Sequence, residues 1–582
     1  MTTATEHTGQ QSKGLKVGAV GLLGSVVIGM ASTAPAYSLA SSLGLIVATS
    51  GETLAGVKAP GILLLAFVPM FLIAIAYQEL NKAEADCGTT FTWTSRAFGP
   101  IAGWLGGWGI IAADVIVMAN LAQIAGSYSF TFMGQLGIPG VSDLSGNVVW
   151  STFAGLIWIA LMTWIAYRGI EVSARLQYIL LSIEVVVLIV FAVVALSRVY
   201  GGSAEAYSIL PNLDWFNPFN LDFGQVIAPA VLTAIFIYWG WDTAVSVNEE
   251  TKNPEKTPGR AAVISTVLLL VTYALVATSS VAFAGVGHDG IGLGNPDNSA
   301  DVFSSIGPAL FGGSVIGHIM MLLLAASILT SSAASTQTTI LPTARTALSM
   351  GVFKAIPERF AKVHAKYLTP TWATIGMGVV SALFYLLFTV ISPSLLTALI
   401  GSIGLMIAFY YGLTGFTCTW YYRKTLFKSV RDFFMRGLLP LLGGLMLWSV
   451  MIYGLIQFAQ PGWLVDSNNK PVTIFGLGAV AVVGVGAMVL GLILMVVWRI
   501  VRPDFFQGKT LSRRTAILVL EEEGRVPAFG LPDSGPEGAV IAPDLSNLPT
   551  GATAVNIKTG ERITRKEARR RRNNNNNTDS HS

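Results

Sequence analysis

The chain has 582 residues, with 36 Lys and Arg against 32 Asp and Glu for a net charge of +4. Apolar residues make up 53% and charged residues 12%, and mean hydropathy is +0.62. That charged share is about half the usual one for a soluble domain, which excludes a water-soluble globule: one soluble core cannot bury so much apolar surface, whereas lipid solvates it.

The modest charge gives no case for nucleic acid. Cys87 and Cys418 lie too far apart in the chain to suggest a disulfide framework or a metal site. The histidines have no metal spacing, and no nucleophile–base pair has local support, so neither an enzyme nor a cofactor is expected.

Residues 1–16 read as a cytoplasmic N-terminal segment. The first apolar stretch starts near Val17 and runs past Leu45, too long for a signal-peptide core, so it reads as a retained first helix. Apolar runs of spanning length follow, giving helices near 17–46, 60–79, 99–128, 148–167, 175–198, 226–247, 261–286, 310–341, 372–392, 394–417, 434–459 and 473–499. These twelve make one transmembrane domain over 17–500. The stretch 310–341 is long enough to imply tilt or an irregular segment. With the N-terminus inside, only Lys58, Arg198 and Lys470 among the membrane domain's basic residues fall on the outer side. This asymmetry supports the number of helices and its parity.

Residues 501–582 are polar and rich in Gly and Pro. They read as a cytoplasmic, mostly disordered tail. The tail holds Arg569–Arg572, which act as a topogenic solvated run or touch anionic lipid. It also has a short apolar piece, Thr515–Leu520, of a kind that docks on a membrane domain.

The first span reads Gly29-Met30-Ala31-Ser32-Thr33-Ala34-Pro35. Gly29 takes unusual dihedrals. Pro35 suits the first turn of a new helix, with Ser32 or Thr33 as its cap. A half-helix ending near Gly29 and another starting near Thr33 would offer free N–H groups to a carboxylate. The alternative is a packing kink.

The sixth span reads Phe236-Ile237-Tyr238-Trp239-Gly240-Trp241-Asp242-Thr243, a second break with aromatic walls. The expected substrate-binding residues are therefore Gly29, Met30, Ala31, Ser32, Thr33, Phe236, Tyr238, Trp239, Gly240 and Trp241. Two breaks five spans apart suit an inverted five-plus-five repeat.

Three carboxylates fall inside apolar runs: Asp114, Glu184 and Asp242. A charge there costs at least about 2.5 kcal/mol, so each faces a partner, water or a site. Glu184 is the sharpest candidate for carrying a proton. Asp114 reads as a partner for a substrate ammonium or a helix end, and Asp242 as a half-helix cap. The alternative for each is a neutral carboxyl that pins two helices. Thr330 and Ser331, in a hydroxyl run with Ser327, Ser332 and Ser335, offer a possible cation site. The commoner role of such hydroxyls is to bond their own helix.

The stretch Tyr238-Trp239-Gly240-Trp241-Asp242-Thr243, continuing to Glu249-Glu250 and Lys252-Asn253-Pro254, resembles the sixth-helix signature of the amino acid–polyamine–organocation permeases. Ala76–Leu80, Gly99–Trp108, Arg345 with Met350 and Ile356-Pro357, and Thr369-Pro370 are similar to other parts of that family, in order. The resemblance covers roughly residues 14–500. It implies a five-plus-five inverted repeat of the LeuT type with broken helices 1 and 6 plus two further helices, an all-α membrane protein. It also implies a backbone from Gly29 to Thr33 that holds a substrate carboxylate, with Phe236, Trp239 and Gly240 lining the pocket. Some proton-coupled relatives have Lys where Glu184 stands. The family's usual Gly-Ser-Gly at the first break is replaced here by Gly29-Met30-Ala31, which narrows the gap.

The resulting expectation is a secondary transporter of the plasma (inner) membrane that imports amino acids by alternating access. It is coupled to a proton, with sodium as the other option, works as a monomer or homodimer and has both termini cytoplasmic. A polyamine or other amine carrier is the alternative. A non-transporting receptor, with the tail as its effector, is the alternative of another class.

Overall fold

The computed structural model describes residues 13–49, 52–202, 207–299, 301–391, 393–465, 470–511, 518–521, 553–556 and 562–564. Among these, eleven helical segments are long and apolar enough to cross a membrane, and the shorter apolar stretch Phe223–Tyr238 stands in the place of the sixth span.

The first span is two helices, α1 Leu22–Ser32 and α2 Pro35–Val47. Then come α3 Ala59–Ala83, α4 Thr90–Phe98 and α5 Pro100–Gln135. After α6 Val148–Tyr167 and α7 Ile170–Tyr200, the sixth span is α8 Ala228–Tyr238 and the single turn α9 Thr243–Ser246. The second half continues with α10 Thr257–Ala284, α11 Val302–Phe311, α12 Val315–Val352, α13 Thr371–Ile391 and α14 Pro393–Tyr421. The short α15 Val430–Asp432 winds through a π-turn into α16 Leu439–Phe458, and α17 Ala479–Val501 closes the domain.

The long apolar stretch expected at 310–341 is irregular at its start. Gly312 turns the chain at φ +69° between α11 and α12. The 38 residues of α12 rise about 57 Å at ~1.5 Å per residue, well beyond a bilayer core of ~30 Å. Its last turns carry Arg345 and Ser349.

The start of the tail packs on the membrane domain. Phe505 and Leu511 are buried with Phe91, Trp104, Met350 and Phe353, and Thr510 Oγ1 donates to Phe353 O at 2.5 Å. Much of the tail lies outside the described residues. Within it, the apolar piece expected to dock supplies Leu518–Glu521, which pairs with Thr553–Asn556, and that strand with Arg562–Thr564, as an antiparallel sheet.

Candidate transport site

The break in the first span falls later than the sequence suggests. Gly29 lies inside α1, and an added Cβ there would sit 2.8 Å from Ser265 Oγ and 3.4 Å from Ala244 Cβ. Its small size thus serves close packing of α1 on α9 and α10. The chain leaves helical geometry at Ala34, which is left-handed at φ 47°, ψ 65°. A residue with a Cβ pays about 1–2 kcal/mol for that conformation, and Pro35 then opens α2. Neither expected hydroxyl caps α2: Thr33 Oγ1 donates back to Met30 O at 2.7 Å, and Ser32 Oγ shares a 2.8 Å hydrogen bond with Thr243 Oγ1.

The cap comes from elsewhere. Glu184, buried on α7, accepts the Ala36 N–H on Oε1 at 2.6 Å and the Ser331 hydroxyl at 2.7 Å. Ser331 Oγ in turn accepts the Tyr37 N–H at 3.2 Å. The positive end of α2 is thus matched by an internal carboxylate from 148 residues away in the chain. Glu184 Oε2 is buried with no hydrogen-bond partner among the described residues. Thr330, by contrast, bonds Ala326 O and Ser327 O of its own helix, so Ser331 alone of the expected hydroxyl pair reaches the site.

The sixth-span break lies where the sequence puts it. Trp239 is extended and Gly240 has φ +116°. A Cβ on Gly240 would lie 2.7 Å from Ser32 O and 2.8 Å from Ser32 C, so the two breaks touch backbone to backbone. Ser335 Oγ donates to Ser32 O at 2.9 Å, and Tyr273 Oη donates to Ile237 O at 2.7 Å. Gly240→Ala therefore combines a forbidden dihedral with a backbone clash, a strain of at least about 1–3 kcal/mol. Most uptake and several degrees of thermal stability should be lost, as read by transport and thermal unfolding. Gly137→Ala, also at positive φ but with nothing within 4 Å, is the control and should keep its uptake.

Around the breaks the expected residues divide. Phe236 meets Tyr37 edge-on at 6.2 Å, Tyr37 Oη donates to Asn120 Oδ1, and Trp239 Nε1 donates to Tyr410 Oη. Tyr410 Oη also donates to Asp242 Oδ2 at 3.2 Å. Asp242 holds the N-cap position of α9 but makes no side-chain cap, which corrects its expected role. Asp114 Oδ2 accepts from Thr343 Oγ1 at 2.5 Å, joining α5 to α12.

Trp241 instead packs on Tyr77 and Tyr411 at 5.2 and 5.1 Å, and Tyr238 on Tyr273 at 5.1 Å. Met30 and Ala31 sit in an apolar cluster with Val26, Leu181, Ala244 and Ala261. The side chains of these four pack on neighbouring helices. Tyr37, Asn120 and Tyr410 were not singled out by the sequence.

A second constellation, of buried charges, lies past the sixth-span break. Lys13 Nζ, fully buried, lies 2.7 Å from Asp86 Oδ2 and 2.5 Å from Glu249 Oε1. Asp86 Oδ1 also accepts from Gly88 N–H, Thr92 and Ser349, and Glu249 Oε1 accepts the Cys87 N–H at 3.0 Å. Beside it Arg345 forks onto Glu250 at 2.9 Å through both Nε and Nη2. The N-terminal segment, the α3–α4 turn, the end of the sixth span and α12 are thereby tied together.

Asp86, Cys87 and Glu249 bring ligand-type atoms within 4.8 Å of one another, but the Lys13 ammonium is the cation they hold here. Burial would raise the Asp86 carboxyl, yet Lys13 and the donors around Oδ1 outweigh it and hold it below the usual range. Burial dominates at Glu249 and lifts it, against the pull of Lys13. Folding therefore favours ionised Asp86, whose contribution is present above the ordinary carboxylate range and lost only below it. Glu249 has the opposite linkage: as pH falls it takes a proton first, and the Lys13–Glu249 link weakens before the Lys13–Asp86 link.

The amino acid permease family model matches residues 22–482. A branched-chain amino acid permease of Lactococcus lactis is 29% identical over 41% of this chain and 53% of its own. A branched-chain amino acid permease of Bacillus subtilis is 25% identical over 53% of this chain and 63% of its own. The chain thus spans little more than half the length of these relatives. The crystal structure of MhsT in complex with L-phenylalanine superposes with a TM-score of 0.54 over 74% of this chain and 98% of MhsT, at 15% identity. That likeness establishes the LeuT-type all-α fold with its broken first and sixth helices. Matched over most of its membrane domain, the chain belongs to the amino acid permease family.

Proposed function

We propose that the protein is a secondary transporter that imports amino acids across the plasma membrane by alternating access, coupled to protons, with Glu184 as the proton carrier. The observation that carries this reading is the Glu184 carboxylate seated on the first turn of α2. An anion at a helix N-terminus stabilises it by about 0.3–1 kcal/mol, and by up to ~2 kcal/mol when partly buried. Protonation removes that charge and loosens α2, the outer half of the broken helix, so proton binding and helix seating are one equilibrium. Phe236, Tyr37 and Trp239 form the apolar wall, in keeping with relatives named for branched-chain amino acids. Lys13 with Asp86 and Glu249, and Arg345 with Glu250, form the inner gate. Both termini are cytoplasmic, as the basic inner loops favour.

The test is leucine uptake into proteoliposomes with an imposed pH gradient, alkaline inside. Leucine accumulates above equilibrium, and accumulation stops when the gradient is collapsed. Equal uptake with and without the gradient would rule out proton coupling.

One observation favours a second reading, an amine carrier. The N–H groups of Ala36 and Tyr37 are already occupied by Glu184 and Ser331, and those of Thr33 and Ala34 turn back to Met30 O and Ala31 O, which leaves a substrate carboxylate little to bind. Competition between lysine and its decarboxylated amine, cadaverine, separates the two readings.

A further inference from the structure

The α6–α7 turn carries an arginine whose setting the transport reading does not use. Tyr167 ends α6, and Gly169 at φ +122° turns the chain into α7. Across from it the loop 364–369 is folded on itself: His364 N–H donates to Thr369 O and Leu368 N–H to His364 O, both at 2.9 Å. His364 stacks on Tyr367 at 4.7 Å, and Tyr167 meets both rings edge-on at 5.4 Å. Thr369 Oγ1 pins the loop to Tyr167 O at 2.9 Å.

Into this frame Arg168 is fitted between two aromatic faces. Its Cζ lies 5.1 Å from the Trp164 ring and 5.2 Å from the Tyr367 ring. Lys366 Nζ lies 5.6 Å from the same tyrosine. These ring contacts use none of the guanidinium's five N–H donors. Neither side chain has a hydrogen bond or an ion pair to any other described residue, and the carboxylate nearest in sequence, Glu171, is paired with Lys16 at 2.8 Å.

The ground beside the arginine is apolar and faces outward. Trp164 and Ile157 on α6 and Trp372 on α13 are each about half exposed. The two helices pack closely, with Thr163 against Gly378. In the orientation proposed above, a guanidinium at the inner membrane border with an apolar strip running up from it matches a phosphate joined to acyl chains. A free phosphate would use the cation and leave the strip uncovered.

We infer that Arg168 and Lys366 form a binding site for the phosphate headgroup of an acidic phospholipid of the inner leaflet, with its acyl chains along the α6–α13 face. Each cation near an anionic lipid adds a modest attraction. Loss of both, with loss of the bidentate fork, weakens binding roughly tenfold or more.

The experiment titrates the full-length protein in detergent with phosphatidylglycerol, with phosphatidylcholine and with inorganic phosphate. Bound lipid is read by native mass spectrometry, and the unfolding midpoint is followed in parallel. Phosphatidylglycerol should bind and raise the midpoint, while phosphatidylcholine and inorganic phosphate at equal concentration should do neither. Arg168→Ala with Lys366→Ala should weaken phosphatidylglycerol binding about tenfold. Arg168→Lys should also weaken it, since it keeps the charge and loses the planar fork. The inference is overturned if phosphatidylcholine binds equally, if inorganic phosphate reproduces the shift, or if the double variant keeps wild-type affinity. Should the double variant misfold, Lys366→Gln, at an exposed position, carries the test alone: it should bind severalfold more weakly, and unchanged affinity overturns the inference.

Discussion

Glu184→Gln abolishes accumulation driven by a pH gradient and leaves counterflow of substrate at equal pH in place. Glutamine keeps an oxygen where Oε1 accepts from Ala36 N–H and Ser331, so the α2 cap survives as a neutral one. It cannot take up or release a proton, and its NH2 group falls where Oε2 has no partner among the described residues. Driven accumulation should fall at least tenfold, to the level of passive equilibration, while exchange of labelled for unlabelled substrate persists. Glu184→Asp keeps the charge but shortens the reach, and should give intermediate accumulation. If Glu184→Gln accumulates substrate like the wild type under a gradient, Glu184 is a structural cap and nothing more.

The polarity of this site follows from its geometry. A lysine at this place on α7 would be a donor and would require carbonyl oxygens, but Met30 O, Ala31 O and Ser32 O at the end of α1 already accept from Thr33, Ala34 and Ser335. A glutamate is an acceptor, and here it meets the Ala36 N–H at the start of α2 and the Ser331 hydroxyl. The chain has placed Pro35 at the first turn of α2, where its missing N–H costs nothing, and left Ala36 and Tyr37 to donate. Ala34 takes the left-handed turn that brings those donors to face α7.

That arrangement shows what the residue pattern could and could not reveal. The Gly between two Trp at 239–241 is legible because only glycine fits φ +116° against the Ser32 backbone. Gly29 misled for the same chemical reason: a glycine signals either a turn or a close approach, and here it is the approach of Ser265 and Ala244. The inward carboxylates were legible as costly charges, but their partners were not. Tyr410 reaches Asp242 across 168 positions, Thr343 reaches Asp114 across 229, and Ser331 reaches Glu184 across 147. No local period encodes such pairs. The contacts of the aromatic wall were hidden too: Trp239 and Trp241 lie in the non-helical break, where no helical period says which neighbours they meet.

Lys13→Ala should open the inner end and expose Cys87. Lys13 is fully buried between Asp86 and Glu249 in a segment whose sequence gives no hint of burial. Removing one member of a buried ion pair costs about 3–5 kcal/mol, because the charges left behind remain out of water. Here two carboxylates are left facing each other, and the state in which Lys13 ties them together bears the cost. A loss of ~3 kcal/mol is already more than a hundredfold in the closed-to-open ratio. Relaxation and entering water reduce this, so a rise of at least tenfold is expected in the rate at which a maleimide in the cytoplasmic-side medium of inside-out vesicles modifies Cys87. Its thiol lies 3.7 Å from Lys13 Nζ and 3.5 Å from Arg345 O, inside the network rather than beside it. Cys418, also buried, distinguishes opening from collapse: gate opening exposes Cys87 alone, and unfolding exposes both, as peptide mapping shows. Lys13→Met with Asp86→Asn and Glu249→Gln removes all three charges and should return Cys87 towards its protected rate, since neutral groups of similar volume carry no unpaired charge. A Cys87 rate in Lys13→Ala equal to the wild type would mean that this end is held by packing and by other ion pairs, among them Arg345–Glu250 and Arg96–Glu84.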